Sequence, residues 1–96
     1  MIKIKRIKRT CFACTSQWNA WTEDGYTVYI RYRHGLLSVR ESFLQTDNPE
    51  EAVSGRVIYE DYHGNEWDGV MDYKELKELT KGLVEYPKEE EEDEEI

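Results

Sequence analysis

Cys11 and Cys14 stand in a C-x-x-C spacing, which suits either a metal site or thiol–disulfide exchange. A structural zinc site needs four ligands, and this pair supplies only two. His34 and His63, or the same pair from a second chain, would have to complete it. A redox role would place the pair at a helix N-terminus in a βαβ unit, and no such unit surrounds it. The bland alternative is two inert thiols buried as small hydrophobes. The run Glu60, Asp61, His63, Asn65, Glu66, Asp68 and Gly69 is rich in oxygen donors. It departs from the order of a calcium loop, so a turn ringed by solvated carboxylates accounts for it. No nucleophile elbow, glycine-rich phosphate loop or H-E-x-x-H occurs. The chain therefore reads as a binding module with no cofactor rather than an enzyme. A small Cys/His-dependent enzyme acting on a nucleotide is the alternative from another class.

The richer chemistry lies in Tyr29-Ile30-Arg31-Tyr32-Arg33 and the nearby Arg40. Arginine presents a planar fork of donors to phosphate or carboxylate, and aromatic rings stack on bases or on guanidinium planes. Whether these side chains meet depends on strand register. Asp24-Gly25 and His34-Gly35 both suit two-residue hairpin turns. With two-residue turns at both places, Trp21, Tyr26, Val28, Ile30, Tyr32, Leu37 and Val39 share one sheet face, the expected core. The other face then gathers Trp18, Ala20, Tyr29, Arg31, Arg33, Ser38 and Arg40. On it, Trp18, Tyr29, Arg31, Arg33 and Arg40 form the candidate binding surface for an anion: a nucleotide, a nucleic acid or an acidic protein patch. The competing explanation is a solvated face whose arginines lie over tyrosines.

Other elements must hold this surface. Ile2, Ile4 and Ile7 among basic residues predict a first strand over about 2–9, of edge character because of its lysines. Asn48-Pro49, Glu51 and Gly55 predict a short helical turn over 49–54. Arg56–Tyr62 reads as a strand, and Glu66–Val70 as a further short one. A helix over 73–81 has Asp72 as N-cap, Glu75 as capping-box partner, a Met71/Leu76 staple and Gly82 as its stop. Its stripe Leu76, Leu79 and Leu83 must be buried against the sheet. The fold class is α+β: an antiparallel β-meander of about five strands with one C-terminal helix on one face.

The net charge of −8 is unevenly placed. Residues 88–96 hold seven carboxylates and one lysine, a net −6, which leaves −2 for residues 1–87. A nearly neutral body excludes both nucleic-acid mimicry and binding through bulk positive charge. Residues 1–87 thus form one small domain, and 88–96 a disordered acidic tail. That tail is a solubility device, a screen for Lys3, Lys5, Arg6, Lys8 and Arg9, or a competitor for the arginine face. No signal sequence or membrane-spanning run is present, so the expected setting is cytoplasmic.

Ser16-Gln17-Trp18, Asp24-Gly25, Tyr29 to Arg33, Gly35 and Leu37-Ser38-Val39 make a pattern that resembles short proteins encoded by phages and other mobile elements. The resemblance spans residues 11–40 and implies no activity or catalytic residue. It implies a setting, a small accessory protein that modulates a component of a host cytoplasm. An alternative of another kind is a homodimeric interaction protein joined by a sheet edge or by zinc at Cys11 and Cys14.

Overall fold

A computed structural model describes residues 1–11, 15–65 and 67–92, with the side chain of Glu92 outside that description. The strands are β1 (Ile2–Cys11), β2 (Ser16–Thr22), β3 (Thr27–Arg33), β4 (Leu36–Glu41), β5 (Arg56–Tyr62), β6 (Val84–Glu85) and β7 (Glu91–Glu92). The helices are α1 (Glu50–Val53) and α2 (Tyr73–Leu79). The strand order is β5-β4-β3-β2-β1-β6, with β7 also on β1. β1 to β5 form the expected antiparallel meander, and β6 and β7 add to β1 in parallel. The fold is a small α+β domain.

The second hairpin has the expected register, Arg33 opposite Leu36, because His34 and Gly35 both take positive φ. The first does not. At Asp24-Gly25 only Gly25 has positive φ, at 93°. The loop therefore holds three residues, Glu23 to Gly25, with the Thr22 carbonyl accepting from Gly25 and the Thr22 amide donating to Tyr26. A type I turn closed by a left-handed glycine produces this geometry. Trp21 now lies opposite Thr27 and Trp18 opposite Ile30. One residue of slip turns every β2 side chain to the other face.

In consequence the core holds Trp18 and Ala20, buried with Val28, Ile30, Tyr32, Leu37 and Val39. β1 contributes Ile4 and Ile7, three positions apart, through a bulge at Lys5 that shifts the alternation by one. A second bulge, at Ile58 of β5, turns that side chain towards the core.

α2 covers this face. The Asp72 carboxylate accepts the Glu75 amide at 2.8 Å, as the capping pattern predicts, and Leu76 and Met71 are buried. Leu83 departs from the expected stripe. Gly82, at φ 91°, ends the helical path, leaves Leu83 exposed and sends Val84 into the core as β6. The strand expected near Glu66–Val70 is a connection through residues 67–72, with Glu66 outside the described residues. The acidic run that begins at Lys88 is described as far as Glu92. Residues 88–90 lead into β7, where Glu91 lies opposite Lys8 and Glu92 opposite Arg9. Residues 93–96 lie outside the described residues.

Tyr86 closes the edge of the core. Its hydroxyl lies 2.8 Å from Thr80 Oγ1, and its ring meets Tyr73 edge-on at 5.8 Å. Burial pushes the phenol up to about 12. An unfolded tyrosine titrates near 10, so the native state keeps this proton while the unfolded chain loses it. The stabilisation is complete below pH 10 and is lost as pH rises through about 12, at about 1.4 kcal/mol per pH unit. Urea midpoints measured from pH 9 to 12 should fall less steeply for Tyr86→Phe than for wild type. Part of the decline should remain, because burial raises Tyr73 as well. Equal slopes would remove Tyr86 as the source.

Candidate functional site

Alternation along β3 and β4 places Tyr29, Arg31, Arg33, Ser38 and Arg40 on the face opposite the core. These residues line a groove of about 590 Å³. β5 adds Glu60 and Tyr62, the β3–β4 turn adds His34, and Val53 and Ser54 at the end of α1 form a wall.

α1 is the device that makes a groove from a sheet face. The Asn48 side chain accepts the Glu50 amide at 3.1 Å, and Pro49 begins the turn. The Asn48 carbonyl takes the Thr27 hydroxyl, and Arg40 donates to the Gly55 carbonyl at 3.3 Å. Gly55 is required there, since a Cβ would collide with the Glu41 carbonyl. α1 thus covers one end of the sheet face opposite α2.

Four of the five candidate binding residues, Tyr29, Arg31, Arg33 and Arg40, line the groove together. Trp18 does not, because the three-residue turn moves it into the core. Its indole Nε1 donates to the Glu90 carboxylate at 2.6 Å, and the Arg9 guanidinium sits 4.7 Å from its ring centre. Trp21 takes the outward place instead. Its indole donates to the Asp47 carbonyl, and Arg6 stacks on its ring at 4.7 Å.

The groove is electropositive through its arginines. Among the described residues, no carboxylate pairs with Arg31, Arg33 or Arg40 within ion-pair distance. Arg31 Nε is buried and has no hydrogen-bond partner among those residues. A buried donor without an acceptor is costly, and most such groups in native proteins are satisfied. Chemically, the arrangement can hold an anion through guanidinium forks, with Tyr29 and Tyr62 offering ring faces.

Trp67, missed in the sequence, is 86% exposed. The Asn65 side chain accepts the Trp67 amide, and the Asp68 carboxylate accepts the Asn65 amide, which fixes the loop and projects the indole. The Asp68 carbonyl accepts the Gly35 amide, so this loop is tied to the turn at the groove's end. The Asn65 and Asp68 flanks were the available signal, two turn formers around a tryptophan.

Cys11 ends β1 half-buried, and Cys14 lies outside the described residues. Among the described residues, no group of three or more His, Cys, Asp or Glu is spaced to hold a metal. His63 Nε2 is 2.5 Å from the Tyr59 hydroxyl, in a stacked pair. Among those residues, no helix is long and apolar enough to cross a membrane. Compared with known proteins, the chain matches no family model, no curated protein and no solved structure.

Proposed function

We propose that this chain is a non-enzymatic binding module whose arginine groove takes a phosphate-bearing ligand of nucleotide size. The observation that carries the reading is Arg31. Its Nε is buried at the groove without an acceptor, beside Arg33 and Arg40, which have no carboxylate partners among the described residues. A phosphate oxygen would satisfy that donor and draw on the neighbouring positive charge. A groove of about 590 Å³ also falls within the range of small-ligand sites. The accompanying biology we propose is that of a phage-type accessory protein acting on a host component, with the ligand as its handle.

The test is a titration with a fluorescent adenine nucleotide and with a short oligothymidine, read by anisotropy. Charge-assisted hydrogen bonds contribute about 1.5–3 kcal/mol, so Arg31→Ala should weaken binding by about tenfold or more. Arg33→Ala should act in the same direction, and Lys74→Ala, on the exposed side of α2, should not. Equal affinities for wild type and Arg31→Ala, with circular dichroism unchanged, would reject the groove as the site.

A further inference from the structure

Away from the groove, β1 presents its outer edge to segments from the end of the chain. β6 pairs with Ile2 and Lys3, and β7 pairs with Lys8 and Arg9, both in parallel. The second pairing is built on charge as well as backbone. Arg6 Nε donates to the Glu91 carboxylate at 2.7 Å, and Glu90 accepts the Trp18 indole N–H. Arg6 is also stacked on Trp21, which orients its guanidinium towards the edge. The receiving strand is strongly basic, with Lys3, Lys5, Arg6, Lys8 and Arg9, and the strand it receives comes from an almost wholly acidic run.

We infer that the outer edge of β1 is a recognition edge for an acidic extended peptide, and that Glu90–Glu92 occupies it in cis. The mode is strand addition, in which main-chain hydrogen bonds give affinity and flanking side chains give selectivity. Here Arg6 selects a carboxylate on one face of the added strand, and the Trp18 indole selects one on the other. The partner of the edge is an acidic segment of another polypeptide, added in the parallel register that the chain's own segment shows. A tethered occupant competes at an effective concentration of about millimolar, so a free acidic peptide gains access chiefly when the cis contacts are weakened. Only one added strand of either origin can pair with Lys8 and Arg9 at a time.

The experiment uses the full chain and a fluorescein-labelled peptide with the sequence of residues 86–96, followed by anisotropy. Glu90→Gln combined with Glu91→Gln should bind this probe at least tenfold more tightly than wild type, because the competing segment has lost its two anchors. Adding Arg6→Ala to that variant should return the affinity to the wild-type level or below. The same peptide built from D-amino acids keeps every charge but cannot pair in this register, and should bind at least tenfold more weakly than the L-peptide. Equal binding by wild type and the double variant, or equal binding of L- and D-peptides, would overturn the proposal. So would exchange of the segment between two copies, seen as a concentration-dependent dimer in light scattering, which would assign the edge to self-association. If Arg6→Ala does not fold, the indole N–H resonance of Trp18 decides. In the double variant it should shift on addition of the L-peptide and not of the D-peptide, and no shift with either would equally overturn the proposal.

Discussion

Replacing Trp18 with alanine is expected to cost about 3–5 kcal/mol of folding stability. The side chain is fully buried and is the largest in the core. Its removal would leave a cavity in the core that it shares with Ile7, Ile30 and Met71. It would also strip Arg9 of the ring it stacks on, leaving a nearly buried guanidinium with less to hold it. Arg9 reaches Ser16 Oγ at 2.9 Å, and that same oxygen accepts the Met71 amide at 2.8 Å. A disturbance at Trp18 therefore reaches the segment that leads into α2. Urea unfolding with matched m-values measures the loss. The two-residue turn expected at Asp24-Gly25 would instead place Trp18 on the outer face, where surface substitutions cost about 0.5 kcal/mol or less. A loss that small would restore that register and reject the three-residue turn.

Gly35→Ala should be as damaging, for a reason that Gly82→Ala isolates. Both glycines have positive φ, 78° and 91°. A left-handed conformation costs an ordinary residue about 1–2 kcal/mol. At Gly82 a Cβ would meet nothing within 4 Å, so that strain is the whole expected cost. At Gly35 a Cβ would run into the carbonyl oxygens of Gly64 and Asn65. Those atoms cannot retreat, because the Gly35 amide donates to the Asp68 carbonyl at 2.7 Å and its own carbonyl accepts the His63 amide at 2.8 Å. The predicted loss is more than about 3 kcal/mol, since backbone must move and two hydrogen bonds go with it. Side-by-side urea denaturation of the two variants is the measurement. Equal losses at Gly35 and Gly82 would mean that the 63–68 loop is not packed against the turn.

The contrast between the two hairpins explains how much of the fold was legible in the sequence. His34-Gly35 and Asp24-Gly25 look equivalent as dipeptides, yet only the first adopts positive φ at both positions. The Asp24-Gly25 turn is decided outside the dipeptide, by Thr22. Its hydroxyl and carbonyl cap the loop by accepting the Tyr26 and Gly25 amides. Local capping was readable, as Asp72 and Asn48 show, because the partner lies within three residues. The meander and the alternation on β3 and β4 were readable too, and with them the grouping of Tyr29, Arg31, Arg33 and Arg40. Features set across the chain were not. Glu91 beside Lys8, Val84 beside Ile2 and the wall that α1 adds to the groove depend on where distant segments dock. Bulges at Lys5, Thr10 and Ile58 shift the alternation at points that no local pattern marks.

The parallel pairing of β6 and β7 with β1 has a consequence for the order in which the domain assembles. β2, β3 and β4 meet through short turns, so their closure is entropically inexpensive and can come early. Ile2 finds Val84 only across roughly 80 positions, a separation that delays contact until most of the chain has condensed. Contacts made after the folding barrier leave the folding rate nearly unchanged and act mainly on the rate of unfolding. The seam along β1 is therefore a clasp closed last, and its strength governs how long a folded molecule lasts rather than how quickly it forms.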